Sequence, residues 1–470
     1  MSSTRPRVCL ILEGSYPFVT GGVSSWVHQL IQAIPEVDFV LYSISPRAGQ
    51  PVQYNLPENV IEHRDLVLSE KMRSRKRPDN SKLMLSGIRR MHDGFSAGSR
   101  VDFAELVNLM PAGYFAYRDA VTSESGWELI SRKNQLNNPI YPFSDYFWAW
   151  KSGHDMLFTL IGAEAPEADV YHAVSTGYAG LAAVVAKLRT GRPYLLTEHG
   201  LYHKEREMEI RRVRFIRGHQ RDMWIRIFNE LTRLSYQYAD RVISLFEYNR
   251  RIQISMGAPE ERTEVIANGI DVEYFASIKR EKRPGFHVGL VGRVVPIKDV
   301  KTFIAMGRIV KDLNPDAQFY CIGPTDEDSA YFEDCKTMVK SFRLTDSFHF
   351  TGKTDVREYY SFLDVLLLTS VREAQPLVIL EAYCAGVPVV ATRVGNIPEM
   401  LDYDDRFLAA SKDPEKLARG VTYVNDHSEE MARIVARNRD KATKFYDRRS
   451  VYKRYHDIYV RMGREGTWRE

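Results

Sequence analysis

The chain of 470 residues is longer than one ordinary hydrophobic core supports, so two or more domains are expected. With 44% hydrophobic and 27% charged residues and no low-complexity tract, it reads as a globular protein, neither disordered nor collagen-like. A net charge of +4 is too modest to point to nucleic acid as a partner.

The first predicted element is RVCLILEG (7–14), a short apolar run suited to a buried parallel strand. In GGVSSWVHQLIQAI (21–34), Val23, Trp26, Val27, Leu30, Ile31 and Ile34 recur at three and four, the spacing of an amphipathic helix. A second strand is expected at 39–45. Residues 64–160 break this rhythm and read as a mostly helical insertion. It opens with the basic run KMRSRKRPDNSK (71–82) and closes on the aromatic stretch YPFSDYFWAWKSGHDMLFTLI (141–161). Core packing accounts for Phe147, Trp148 and Trp150; an aromatic platform for a sugar chain is the alternative. A second basic run, RRVRFIRGHQR (211–221), shares two readings with the first: a solvated face, or a surface for phosphate-rich membrane or an acidic partner.

Strand-like runs then follow at 169–174, 193–200, 240–246 and 263–269, with helix character at 176–188. The pattern restarts at FHVGLVG (286–292), with a helix at 299–313 that turns Val300, Phe303, Ile304, Ile309, Val310 and Leu313 inward. Strands at 317–323, 347–352, 365–370 and 387–392 complete it. The polar and basic YFASIKREKRPG (274–285) is the expected seam. Alternating strands and helices imply parallel sheets covered on both faces, hence two doubly wound α/β domains with a cleft between them and ligands at the carboxyl ends of the strands. Cys9, Cys321, Cys335 and Cys384 have neither metal nor redox spacing. The apolar run of five near the start is too short for a signal peptide, and no stretch nears the roughly 18 apolar residues that span a bilayer. A cytoplasmic location is expected.

Three loops carry candidate chemistry. Gly21 and Gly22 stand between a strand and a helix, where glycines let a backbone approach a ligand and free N–H groups attract anions; a plain tight turn needs the same residues. They form neither a dinucleotide fingerprint nor a P-loop. In LVGRVVPIKDV (290–300), Arg293 follows a strand and Lys298 comes five residues later, two fixed cations suited to a diphosphate. In EAQPLVILE (373–381), Glu373 lies in a loop at a strand's carboxyl end. Pro376 suits the first helical position, Gly386 and Pro388 end the helix, and Glu381 sits about a turn and a half inside it. Between the carboxylates, the N–H groups of Leu377 and Val378 are free to face phosphate. The order matches sugar, phosphates and ribose. A glycosidase pair, facing across one bond at about 5 to 10 Å, fits poorly.

GRVVPIKDVKTFI (292–304), ANGID (267–271), TSVREAQPLVILEAYCAGVPVVATRVGNIPEM (369–400) and the early Gly-Gly loop together resemble the retaining glycosyltransferases of family 4, which have the GT-B fold. The resemblance covers roughly residues 160–460 and the first 45. CLILEGSYPFVTGGVSSWVHQLI (9–31), with the long insertion, is similar to the cytoplasmic glycosyltransferases of Pel exopolysaccharide synthesis. This implies a Rossmann-like acceptor-side domain over 1–280, a Rossmann-like nucleotide-sugar domain over 281–450, and a last helix at 451–470 packing back on the first. It implies that Arg293 and Lys298 hold the diphosphate with the backbone at Gly21 and Gly22. Glu373 takes the donor sugar, Glu381 the ribose, and His199 sits near the reacting carbon. It also implies a UDP-sugar donor (UDP-glucose or a UDP-N-acetylhexosamine), a polysaccharide acceptor, no metal or other cofactor, and recruitment by inner-membrane Pel synthesis proteins. Many relatives carry Gly-Phe-Gly or Gly-Leu-Pro after the first glutamate, where this chain has Ala374, Gln375 and Pro376. His172 is expected to be structural, and DYDD (402–405) a surface loop. The rival readings are a glycan phosphorylase or nucleotide-sugar epimerase of similar fold, and a degenerate transferase kept as a scaffold.

Overall fold

The computed structural model describes residues 5–70, 81–97, 101–114, 123–137, 142–213 and 218–465. Arg73, Arg75, Lys76 and Arg77 of the first basic run, and Arg214 and Arg217 of the second, lie outside them. The chain forms two compact units. One runs to Ile266 and takes up the chain again from Tyr452; the other is Ala267–Val451.

In the first unit, β1 (Arg7–Glu13), β2 (Asp38–Ser45), β3 (Val60–Val67), β4 (Val170–Ala173), β5 (Tyr194–Glu198), β6 (Arg241–Ser244) and β7 (Thr263–Val265) form one sheet in the order β3-β2-β1-β4-β5-β6-β7. Every pairing is parallel. Residues Val8 to Leu12 are fully buried, because helices cover both faces and no side of the strand meets water. The helix α1 (Gly22–Ala33) buries Trp26, Val27, Leu30 and Ile31, the stripe its spacing predicts. β3 occupies a segment that overlaps the start expected for the insertion; its mixed burial as an edge strand hides it from an apolar-run search. The helices α2 (Ser81–Ala97), α3 (Phe103–Leu109), α4 (Glu124–Asn137) and α5 (Phe143–Gly162) follow. On α5 Trp150 is buried and Phe147 packs against the core, but Trp148 is 62% exposed, against the expectation that it packs in the core. Residues two apart on a helix point to nearly opposite faces, so Trp148 and Trp150 cannot share one. The remaining helices of interest are α6 (Tyr178–Thr190) and α7 (Tyr202–Arg212).

In the second unit, β8 (Phe286–Val291), β9 (Ala317–Ile322), β10 (Phe348–Gly352), β11 (Val365–Leu368), β12 (Val389–Thr392) and β13 (Leu408–Ala409) are ordered β10-β9-β8-β11-β12-β13, again all parallel. Helices α8 (Val300–Leu313) and α9 (Leu377–Ala385) carry the candidate loops. Leu313, expected inward, is 66% exposed as the last residue of α8. The segment 274–285 lies inside this unit. It is held there by the bond from Arg280 Nη2 to the Leu363 carbonyl and by Glu281 N–H to the Ser361 carbonyl. The final helix, α10 (Arg448–Glu465), begins in the second unit and enters the first at Tyr452.

Candidate functional site

Each sheet reverses its strand order once, between β1 and β4 in the first unit and between β8 and β11 in the second. Loops leaving adjacent strands in opposite directions open a crevice at that point, where α/β sheets bind ligands.

In the second unit the loops after β8 and β11 are knitted together. Thr369 Oγ1 donates to the Lys298 carbonyl at 2.7 Å, and the Val371 N–H to the Ile297 carbonyl at 2.9 Å. Lys298 ends a single 3-10 turn (Pro296–Lys298) and points its ammonium at Glu373, Nζ to Oε1 2.5 Å. Ser370 Oγ donates to the same carboxylate oxygen at 2.7 Å. Two side chains 75 residues apart in sequence thus share one partly buried ion pair. Arg293 joins neither: its Nη1 donates to both carboxylate oxygens of Glu327, at 2.7 and 2.6 Å, on an exposed surface. Exposed pairs of this kind contribute roughly 0–1 kcal/mol, so an anion exchanges with Glu327 at little cost.

Pro376 is the N-cap of α9 and Leu377 its first residue, one position later than the sequence reading. The N–H groups of Leu377 and Val378 therefore lie in the first turn, where a helix has no carbonyl of its own to satisfy them. Glu381 lies deeper in the same helix. Tyr360 donates to its Oε2 at 3.2 Å, and burial pushes its pKa up to about 7. The Glu373 backbone is gripped from the far side by Gly395, at φ 55°; a Cβ there would stand 1.9 Å from the Glu373 carbonyl oxygen. The Asn396 N–H bonds the Ala374 carbonyl at 3.0 Å.

Sequence reasoning missed the amides of this loop. The Asn268 N–H donates to Gln375 Oε1 at 2.9 Å, joining ANGID to the segment 107 residues on. Asn268 Oδ1, Gln375 Nε2 and Asn396 Oδ1 are buried without a partner in the protein. A buried amide group with nothing to bond costs about 1–3 kcal/mol, which a hydroxyl-rich ligand would recover. The signal in the sequence was the departure at Gln375 itself, a polar residue where the resembling pattern has Phe or Leu.

In the first unit, Gly21 is the N-cap of α1 and Gly22 its first residue. A Cβ at either position would meet no atom within 4 Å, and neither has the left-handed backbone that demands glycine. Packing thus gives no reason for these glycines. His199 follows β5 directly. Its ring packs edge-on against Trp26 at 4.4 Å, its Nε2 is buried without a partner, and burial holds its pKa at about 4, so the imidazole is neutral. His172 is fully buried. Two carboxylates went unremarked in the sequence, Glu198 buried and Glu13 partly buried. Glu13 accepts from Tyr202 Oη and the Tyr178 N–H, and Glu198 from Tyr236 Oη, Gln253 Nε2 and the Tyr202 N–H. Burial raises both pKa values, and their partners make them pillars for α6 and α7.

Among the described residues no cluster of three or more His, Cys, Asp or Glu has metal-binding geometry. In the DYDD turn Asp402 and Asp404 pair with Lys441, Arg437 and Arg406. Also among the described residues, no helix is long and apolar enough to cross a membrane.

The model of a family described as Domain of unknown function (DUF3492) matches residues 6–261, more than half of the chain. The chain belongs to the DUF3492 family. The model of Glycosyl transferases group 1 matches residues 285–426, within the second unit. Among curated relatives, the N-acetyl-alpha-D-glucosaminyl L-malate synthase of Bacillus anthracis is 26% identical over 237 residues, 50% of this chain and 60% of that protein. The N,N'-diacetylbacillosaminyl-diphospho-undecaprenol alpha-1,3-N-acetylgalactosaminyltransferase of Campylobacter jejuni is 25% identical over 251 residues, 50% of this chain and 64% of that one. The chain thus spans less than two thirds of the length of each of these relatives. Among solved structures, Anabaena Alr3699/HepE in complex with UDP aligns with a TM-score of 0.60 at 14% identity, over 96% of this chain and 99% of that one. Sucrose-phosphate synthase from Thermosynechococcus elongatus aligns with a TM-score of 0.60 at 15% identity, over 97% and 99%. At such identities the likeness is one of fold: two Rossmann-like domains of the GT-B class.

Proposed function

We propose that the protein is a retaining, metal-independent glycosyltransferase of family 4 that moves a hexose from a UDP-sugar to a growing exopolysaccharide chain. The observation that carries this reading is the row of groups along one loop and helix of the second unit: the Lys298–Glu373 pair, the first turn of α9 at Leu377 and Val378, then Glu381. Lys298 has three N–H donors and spends one on Glu373, leaving others for a diphosphate. Arg293 joins it on exchanging Glu327 for phosphate oxygen, Glu381 takes the ribose, and Glu373 with the unpaired amides takes the sugar hydroxyls. Support also comes from the group 1 match and from the UDP bound in a protein of the same fold. The finer assignment to Pel synthesis, with recruitment to the inner membrane by its partner proteins, rests on the resemblance of residues 9–31 together with the long insertion; cytoplasmic location also rests on the sequence having no signal-peptide-like or bilayer-spanning run.

In this reading the bond from the anomeric carbon to phosphate breaks while the acceptor oxygen bonds on the same face. The acceptor's proton passes to the departing phosphate oxygen. The protein's part is electrostatic: Arg293 and Lys298 stabilise charge as it builds on the diphosphate, and His199, being neutral, can hydrogen-bond near the reacting carbon without opposing positive charge there.

The test is titration calorimetry against UDP- and GDP-sugars together with donor turnover. Glu381→Ala should weaken UDP itself and raise KM, a loss common to ground and transition states. Glu373→Ala should depress turnover and leave UDP affinity nearly intact. Each loss should be about 10- to 100-fold, the value of one charge-assisted hydrogen bond. The opposite pattern, or no binding of any UDP-sugar, overturns the assignment.

A further inference from the structure

The helix α10 brings three tyrosines, Tyr452, Tyr455 and Tyr459, to the first unit at a spacing of three and four, hence on one face. Each hydroxyl is used. Tyr452 Oη lies 3.2 Å from Gln29 Oε1 on α1. Tyr455 Oη lies 3.2 Å from Thr197 Oγ1 on β5, and Tyr459 Oη lies 2.7 Å from His172 Nδ1 on β4. His172 Nε2 closes the chain, 2.8 Å from Thr197 Oγ1. The elements gripped are those that present Gly22 and Trp26, His172, and Thr197 through His199.

The rings repeat the pattern. The Trp26 ring stands edge-on to those of His199, Tyr455 and His172, with centroids 4.4, 5.3 and 6.3 Å apart. Tyr455 therefore braces His199 twice, through the Thr197 side chain two residues before it and through the indole against which the imidazole packs. His172, Thr197, Tyr455 and Tyr459 are all buried. Apolar packing would dock a helix as firmly as this network does. A fully satisfied buried polar chain adds a fixed geometry. Burial keeps His172 neutral, with a pKa of about 3, so one ring nitrogen donates and the other accepts, which orders the chain in one direction.

We infer that Tyr455, Tyr459, His172 and Thr197 are positioning residues that hold Trp26 and His199 in register for the transfer step. This rests on the proposed role of His199, which the other residues serve without touching the substrate.

The experiment is a double-mutant cycle on donor turnover and UDP affinity, with imidazole signals of 15N-histidine-labelled protein as an independent readout. Tyr455→Phe, Tyr459→Phe and the isosteric Thr197→Val delete hydroxyls and keep volume. Each should lower kcat about tenfold, the order expected when a reacting group is displaced by a fraction of an ångström. UDP affinity should stay within about twofold, and the His199 resonance should shift. In a His199→Ala background the same substitutions should cost nothing further. Unchanged kcat and an unmoved His199 signal overturn the inference, as does an equal loss of kcat with and without His199. If His199→Ala turns over like the wild type while the tyrosine variants still move the His199 signal, the bracing stands and the role given to His199 falls. If a Phe variant unfolds, Thr197→Val, at the junction of the Tyr455 and His172 contacts, decides.

Discussion

Glu381 and Glu373 share a helix entrance but live in different electrostatic worlds. Glu373 faces an ammonium at 2.5 Å and a serine hydroxyl. Glu381 faces a buried phenol, and burial raises its pKa from 4.5 to about 7. The folded protein thus binds a proton there more tightly than the unfolded chain does. Its stabilising effect is complete below about pH 4.5 and is lost as pH rises through about 7. Because the carboxylate is only partly covered, the loss is roughly 1–3 kcal/mol. Glu381→Gln has no such titration, so its melting temperature should gain on the wild type between pH 5 and pH 8 by several degrees, at roughly 2–4 °C per kcal/mol. Ribose hydroxyls donating to the ionised carboxylate would lower its pKa in the complex. UDP-sugar affinity should then tighten from pH 6 to pH 8 in the wild type and stay level in the variant. A flat difference in melting temperature across this range would place the Glu381 pKa at its ordinary value.

At the scale of elements, the buried strands and the amphipathic helices were legible because their physics is local. A strand covered on both faces reads as an apolar run, and α1 and α8 repeat at the helical period. What the sequence hid were elements and contacts decided elsewhere. β3 is an edge strand of mixed burial, Trp148 and Trp150 differ only by the face they occupy, and Asn268 meets Gln375 across 107 residues. The Lys298–Glu373 pair was half legible: each residue was marked by its loop, their contact only by the reversal of strand order between β8 and β11. The start of α1 offers a test that local physics defines. Since a side chain at Gly22 would meet open space, Gly22→Val should leave the melting temperature within about 2 °C of wild type, as surface changes do. If a phosphate approaches that turn, the same change should weaken UDP-sugar binding about tenfold or more by blocking the N–H groups. Unchanged affinity would make the two glycines an ordinary tight turn.

For the molecule as a whole, two sheets with the same strand logic were foreseeable from the restart of the alternating pattern at 286. The return of α10 to the first unit was expected from the resemblance alone; its spacing of tyrosines acquires meaning only once Thr197 and His172 stand opposite. The same whole-chain view frames the question of metal. A diphosphate leaving group needs positive charge, and enzymes supply it either with a divalent cation or with fixed side chains. Here Arg293 and Lys298 stand at the carboxyl end of β8, each held by a single carboxylate partner it can exchange or share. Two cations, with the first turn of α9, amount to the charge a divalent ion would bring. Transfer or donor hydrolysis should therefore proceed at the same rate in excess EDTA, and added magnesium or manganese should not raise it. Arg293→Ala and Lys298→Ala should each cost about 10- to 100-fold in kcat/KM, and no divalent ion should restore either. Activity that EDTA abolishes and magnesium or manganese returns would mean that these two side chains do not neutralise the diphosphate by themselves, and the electrostatic mechanism built on them would fall.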